Sequence, residues 1–183
     1  MKIYSTRHGQ TDWNKLDVIQ GATDIELNET GIAQADELAE RVAALGDVGI
    51  IIASPMKRAY RTASAVAERT GLPIVTDERL REWDYGRYEK MPRYTENFPE
   101  DKVSFARRMG GTGESLLELV HRVYSALDDI ISRYADKNVL IVSHGGVCRI
   151  IETYFHEMTT EQFLGWFMGN CQIIEYNTNG GRL

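Results

Sequence analysis

The sequence predicts a three-layer α/β/α sandwich around a mostly parallel sheet, and three observations carry that reading. The 183 residues, 43% hydrophobic and 26% charged, have the size and make-up of one folded domain. Short β-branched runs at 48–53 (VGIIIA) and 139–142 (VLIV) lack polar alternation, as strands buried on both faces do. Between them lie stretches with helical periodicity, and strand–helix–strand alternation implies parallel pairing through right-handed crossovers.

Each element has its own signal. Residues 2–6 alternate polar and apolar side chains before a loop rich in Gly, Thr, Asp and Asn, and read as the first strand. Ile32, Ala35, Leu38, Ala39, Val42 and Leu45 recur at spacings of three and four, between a cap at Asn28 and a stop at Gly46. After the 48–53 strand, Ser54-Pro55 offers a side-chain acceptor for orphan amides and a ring pre-set for the first helical position; Gly71 and Pro73 end that helix. Residues 73–76 make a third short strand. From 77 to 113 the periodicity fades while Pro92, Pro99, Gly110, Gly111 and Gly113 accumulate, so this segment reads as an insertion over one end of the sheet. A long helix follows, with Leu116, Leu119, Val120, Val123, Leu127, Ile130, Ile131 and Tyr134 on one face, and leads into the 139–142 strand. A further helix carries Val147, Ile150, Ile151, Tyr154 and Phe155, a short one runs over 160–168, and 172–176 close the sheet. No internal repeat, low-complexity run or linker interrupts this order.

Composition narrows the function. Twenty-one Lys plus Arg against twenty-seven Asp plus Glu leave a net charge of −6, a sign that repels a phosphate backbone or an anionic membrane surface, so no nucleic-acid or membrane partner is expected. Strictly apolar stretches reach only about five residues, against roughly 20 for a bilayer span, and the start MKIYSTRHGQ has no apolar leader core. The expected location is cytoplasmic. Cys148 and Cys171 lack paired zinc-site spacing and read as reduced, buried fillers. No residue pattern specifies an oligomeric state.

In this architecture ligands bind beyond the carboxyl ends of the strands. Arg7-His8-Gly9 follows the first strand, Ser54-Pro55 with Arg58 one turn later follows the second, and Ser143-His144-Gly145-Gly146 follows the 139–142 strand. Two arginines and two histidines around glycine turns and a helix amino end suit an anion with several equatorial oxygens, so the expected ligand is a small-molecule phosphate ester. Phosphoryl transfer also needs a proton for the leaving oxygen. Glu82 and Glu89 are the candidate acids, with Asp84 a weaker one.

These residues resemble the histidine phosphatase superfamily, the phosphoglycerate mutase-like fold, over nearly the whole chain. Arg7-His8-Gly9 matches its Arg-His-Gly hallmark, followed by Thr11, Trp13 and Asn14 in T-x-W-N spacing and by Gln20-Gly21. Ser54, Pro55, Arg58, Ala59, Thr62 and Ala63 match S-P-x-x-R-A-x-x-T-A, and Leu80, Glu82, Gly86 and Glu89 match the acid-bearing motif. Gly113 to Ser115 supply Gly-Glu-Ser, and Ser143 to Gly146 supply S-H-G-G. Each motif alone is weak; five in order are specific. The resemblance implies that His8 becomes phosphohistidine, that Arg7, Arg58 and His144 hold the equatorial oxygens, and that Asn14, Gln20 and backbone amides near Gly21 and Gly145 assist. It implies Glu82 as proton donor and then base, with no metal and no cofactor. Lys90 departs from the Glu-Gly that many members show at the end of the acid motif, which puts the geometry of the mouth in question.

Rival readings fail on residues. The chain has no D-x-D nucleophile loop, no C-x5-R (Tyr154 and Asn177 stand six residues beyond the cysteines) and no G-x-x-x-x-G-K-[ST] loop. Ser143 imitates an esterase elbow, but Ile141 replaces its first glycine. A non-catalytic phosphate-binding module remains as a remote alternative, and a phosphoglycerate mutase as the nearer one. Family mutases are longer, and this sequence stops at Leu183 shortly past the last expected strand, which favours water as acceptor and hence a phosphomonoesterase. His121 and His156 read as solvated surface residues. The aromatic group Trp83, Tyr85, Tyr88 and Tyr94 fits either a substrate mouth or packing of the insertion. Eight basic residues between Arg79 and Arg108 fit either a solvated surface or contacts to a second anionic group of the substrate.

Overall fold

The computed structural model describes residues 1–178; the stop at Leu183 lies outside the described residues. Five strands, β1 (Lys2–Arg7), β2 (Val48–Ala53), β3 (Ile74–Thr76), β4 (Asn138–Ser143) and β5 (Ile173–Asn177), form one sheet in the order β3-β2-β4-β1-β5. β1 pairs parallel with β4, β4 with β2 and β2 with β3, and β5 runs antiparallel to β1. The helices are α1 (Asp12–Lys15), α2 (Glu29–Leu45), α3 (Lys57–Thr70), α4 (Phe98–Lys102), α5 (Leu116–Arg133), α6 (Gly145–Phe155) and α7 (Thr160–Gly165).

The unalternating runs do what buried parallel strands require. Ile50, Ile52, Val139 and Ile141 face one layer of the core with Leu119, Val123, Leu127 and Ile151 of α5 and α6. Ile51, Ala53, Leu140 and Val142 face the other with Leu38, Val42, Ala59, Ala63 and Val66 of α2 and α3. A period of two places successive residues on opposite faces, so an unbroken apolar run serves both layers. Among the described residues no helix is long and apolar enough to cross a membrane. Both cysteines are free and buried, and burial pushes each thiol up to about 12.

Several termini follow the expected chemistry. Asn28 caps α2 by accepting from the Gly31 amide, and Gly46 and Gly71 end α2 and α3 in the left-handed region at φ 69° and 71°. Ser54-Pro55 differs. α3 begins at Lys57 after an uncapped Met56, because the Ser54 hydroxyl lies 2.7 Å from His144 Nε2 and accepts only the Met56 amide at 3.3 Å. Pro55 thus stands in the turn before the helix. α1 was not legible as a helix, since its capping box pairs Thr11 with Asn14 instead of a Glu or Gln. The 160–168 helix ends early at Gly165, and the chain then extends past Trp166, whose carbonyl accepts from Arg149 Nη2 at 2.7 Å.

Residues 77–113 hold three single 3₁₀ turns (Glu78–Leu80, Gly86–Tyr88 and Met109–Gly111) besides α4. Leu80, Trp83, Tyr88, Phe98 and Met109 anchor this stretch in the α5-side core. Lys90 sits in the left-handed region at φ 70° with its amide donating to the Ile19 carbonyl at 2.9 Å, so the backbone keeps the turn that glycine would adopt there.

Candidate active site

The carboxyl ends of β1, β2 and β4 meet at one cleft. Arg7, His8, Gln20, Gly21, Arg58, Glu82 and Gly145 all line it, so seven of the nine sequence-predicted site residues share its wall. The other two stand behind. His144 is fully buried with its ring centroid 5.2 Å from that of His8, and Asn14 connects through Asn170, whose side-chain amide donates to the His8 carbonyl at 2.8 Å.

His8 is held in one tautomer. Its Nδ1 lies 2.7 Å from the Gly9 carbonyl, which can only accept, so the proton resides on Nδ1. Nε2 is then the lone-pair nitrogen and accepts from Arg58 Nε at 3.2 Å. Burial drives the His8 pKa well below its ordinary 6.5, and the Arg58 and Arg7 cations add to the effect. Burial also lowers His144, with Arg58, His8 and Arg7 contributing. Both imidazoles are neutral.

Arg58 is clamped by carbonyls, donating Nη1 to Thr23 and Nη2 to Gly21, each at 2.9 Å. Gly21 turns at φ 55° against Glu89, where a Cβ would collide with the carboxylate. Glu89 in turn accepts from the Ala22 and Thr23 amides and the Thr23 hydroxyl. That separates the candidate acids: Glu89 fixes the loop that holds Arg58, and Asp84 caps the turn at Gly86, while Glu82 alone of the three lines the cleft with His8. The Glu82 carboxylate accepts from the Trp83 amide at 2.9 Å and the Gly146 amide at 3.1 Å. A Cβ at Gly146 would sit 2.5 Å from Glu82 Oε1, so glycine is what lets the acid reach the start of α6.

Buried Arg7 Nε, Asn14 Nδ2, Gln20 Oε1 and His144 Nδ1 have no partner in the protein, and the remaining such atom among the described residues is Arg149 Nε. Orphaned polar atoms at such density mark a place built for a polar ligand.

The aromatic group divides. Trp83 is buried and donates its indole to the Glu114 carbonyl, Tyr88 packs on Phe98 and donates to Asp101, Tyr85 lines the cleft, and Tyr94 is 82% exposed. Four of the eight basic residues form ion pairs away from the cleft, Arg79 with Asp77 and Asp129, Arg81 with Glu78, Arg107 with Asp101 and Arg108 with Glu118. Arg93 and Lys102 line the cleft. His121 is exposed, and His156 forms a surface pair with Glu152.

Several contributors were not anticipated. Thr62 carried a motif match without a role; its hydroxyl accepts from the Gly9 amide and donates to the Arg58 carbonyl. Arg149 stands one helical turn after Gly145, a spacing that could have revealed it. Arg122 had no local signal. It pairs with Glu114 at 2.6 Å and donates to the carbonyls of Arg79, Arg81 and Glu82, which fixes the strand of chain that presents the acid. Arg122→Ala is expected to cost about 2 kcal/mol or more of stability, because it strands a half-buried carboxylate and three carbonyls, and to lower kcat more than it raises KM. Thermal unfolding and steady-state kinetics check both, and an unchanged kcat would remove Arg122 from any positioning role.

A neutral buried histidine flanked by arginines, at the carboxyl ends of parallel strands and sharing its cleft with one carboxylate, defines an enzyme that handles phosphoryl groups. The chain belongs to the histidine phosphatase superfamily (branch 1), whose sequence profile matches residues 3–183. It is 40% identical over 175 residues to the uncharacterized phosphatase PhoE of Bacillus subtilis, covering 92% of this chain and 86% of that one. It is 39% identical over 152 residues to the probable phosphoglycerate mutase GpmB of Yersinia pestis, covering 79% of this chain and 70% of that one. A phosphoserine phosphatase from Entamoeba histolytica, solved with 3-phosphoglyceric acid, shares the fold with a TM-score of 0.83 at 27% identity, covering 99% of this chain and 92% of that one.

Proposed function

We propose that this chain is a cytoplasmic, metal-independent phosphomonoesterase acting on a small phosphorylated metabolite, one domain in which residues 77–113 cover the active site. The observation that carries the reading is the His8 tautomer: Nδ1–H is spent on the Gly9 carbonyl, and Nε2 presents its lone pair to the cleft. Substrate entry exchanges the Arg58 Nε contact on Nε2 for one on a phosphoryl oxygen. Nε2 then attacks phosphorus, the ester P–O bond breaks, and Glu82 gives its proton to the leaving oxygen. Glu82, now ionised, takes a proton from water, whose oxygen attacks phosphorus while the N–P bond breaks; inorganic phosphate leaves and His8 is neutral again.

Charge is stabilised by donors already in place. Arg7 and Arg58 supply guanidinium N–H groups. In the tautomer we assign to His144, Nε2 accepts the Ser54 O–H and the Nδ1 proton is left for a phosphoryl oxygen. Asn14, Gln20 and the amide of Gly145 complete the cradle. The likeness to proteins named as phosphatases supports hydrolysis, and the likeness to a probable phosphoglycerate mutase keeps transfer to a second hydroxyl as the alternative.

The test is hydrolysis by the purified protein in EDTA over a panel of phosphomonoesters, including 3-phosphoglycerate with and without 2,3-bisphosphoglycerate. Phosphate release is expected. Accumulation of 2-phosphoglycerate with little free phosphate would establish the mutase reading instead, and binding without turnover on every compound would make the chain a phosphate-ligand module.

A further inference from the structure

The turn that leads into β5 reaches the end of β1 from behind the active site. Residues 169–172 are closed by the Gln172 side chain, which accepts from the Gly169 amide at 2.9 Å, and by Arg41 of α2, whose Nη2 donates to the Cys171 carbonyl at 2.6 Å. Cys171 is buried at φ 56°, a left-handed backbone that a non-glycine residue adopts at a cost, and its amide donates to the Arg7 carbonyl at 2.9 Å. Asn170 is the side chain that this turn directs at the site.

Asn170 Nδ2 serves two acceptors. The first is the His8 carbonyl at 2.8 Å. That carbonyl belongs to the same peptide unit as the Gly9 amide, which donates to Thr62 Oγ1 at 3.1 Å, so Asn170 and Thr62 hold the peptide plane from its two ends. The next carbonyl along the chain, that of Gly9, is the acceptor that keeps the His8 proton on Nδ1. Fixing the plane therefore fixes where that acceptor stands.

The second acceptor is Asn14 Oδ1 at 3.4 Å, which the Thr11 amide and hydroxyl also reach, at 3.1 and 3.2 Å. An amide turned over here would set its NH2 group against the Thr11 N–H and the Asn170 NH2, neither of which can accept. Asn14 Nδ2 is left on the other side, buried and without a partner in the protein. A buried donor in that state is costly unless a ligand takes it up.

Resting on the phosphomonoesterase reading, we infer that Asn170 is a positioning residue of the reaction: it holds the His8–Gly9 peptide on which the nucleophile's tautomer depends, and it orients the Asn14 amide so that Nδ2 donates to the phosphoryl group. Asn170 itself stands behind the cleft wall and touches no substrate.

A double-mutant cycle tests this on p-nitrophenyl phosphate. Asn170→Ala is expected to lower kcat about tenfold or more, with KM within about threefold of wild type. Because Asn170 works largely through Asn14, the double variant with Asn14→Ala should fall no more than about threefold below Asn14→Ala alone. Losses that multiply, a loss carried by KM alone, or a kcat within about threefold of wild type in Asn170→Ala would each overturn the assignment. Should the alanine variant not fold, Asn170→Asp, which keeps the shape and removes the donor, carries the same cycle. Turnover of p-nitrophenyl phosphate by the wild-type protein tests the underlying reading separately. If there is none, the same cycle is read as calorimetric Kd for orthovanadate, which takes the trigonal-bipyramidal shape of a transferring phosphoryl group. Binding weakened by Asn170→Ala in wild type but not in the Asn14→Ala background upholds the positioning role, and equal weakening in both backgrounds, or none in wild type, ends it.

Discussion

His8→Ala is expected to lower phosphomonoester turnover by at least about 10³-fold while the protein remains folded. The residue fills a position where no neighbour can substitute. His144, the nearest imidazole, has its Nε2 engaged with Ser54 and so has no free lone pair to offer phosphorus, and both cysteine thiols are buried in the core. Wild-type enzyme quenched in acid-free denaturant during turnover of a ³²P-labelled ester should carry an acid-labile, base-stable label that the variant lacks. Turnover surviving in the variant would sink the nucleophile assignment. The pH dependence follows from the same burial. Because the His8 pKa lies well below 6.5, the nucleophile stays neutral as pH falls through 6.5, and kcat/KM should show no loss with that midpoint. Stability runs the other way. Below pH 6.5 the unfolded chain takes up protons on His8 and His144 that the folded chain refuses, so the folded state loses stability as pH falls from 6.5 towards the depressed values. Activity per folded molecule and thermal midpoint should therefore part company on the acid side.

The sheet was legible because burial on both faces leaves a mark that needs no tertiary knowledge: VGIIIA and VLIV have no polar residue to spare. The candidate site was legible because each strand's carboxyl end carries its chemistry within a few residues, Arg7 and His8 at the end of β1, Arg58 after β2 and His144 after β4. What escaped was set by contacts remote in sequence. Ser54 looked like a helix cap, but its hydroxyl is claimed by His144, 90 residues away. Glu82 and Glu89, with Asp84 a weaker third, stood open by proximity until Glu89 proved to hold the Ala22–Thr23 backbone, 67 and 66 residues away. Arg122 sits on a helix face that periodicity marks as polar, and only the packing of α5 against the Glu78–Leu80 turn shows what it holds. Lys102 and Arg79 were alike as basic residues of one segment, yet one lines the cleft and the other pairs on the surface.

Glu82→Gln should separate proton donation from phosphoryl transfer. Glutamine keeps the shape and an acceptor oxygen for the Trp83 and Gly146 amides, so the start of α6 and the cleft wall stay in place while the transferable proton is lost. For an alkyl phosphate, whose leaving alkoxide needs that proton, kcat is expected to fall about 10²–10⁴-fold. For p-nitrophenyl phosphate, whose phenolate departs unprotonated, breakage of the P–O bond should slow far less. The second half-reaction then limits, since the glutamine has no carboxylate to accept the proton of the incoming water. Phosphoenzyme should therefore build up on p-nitrophenyl phosphate, seen as a burst of nitrophenolate stoichiometric with enzyme, and should stay low on the alkyl ester. A uniform loss on both substrates with no burst would mean that Glu82 organises the cleft without moving a proton, and would sink its assignment as the acid.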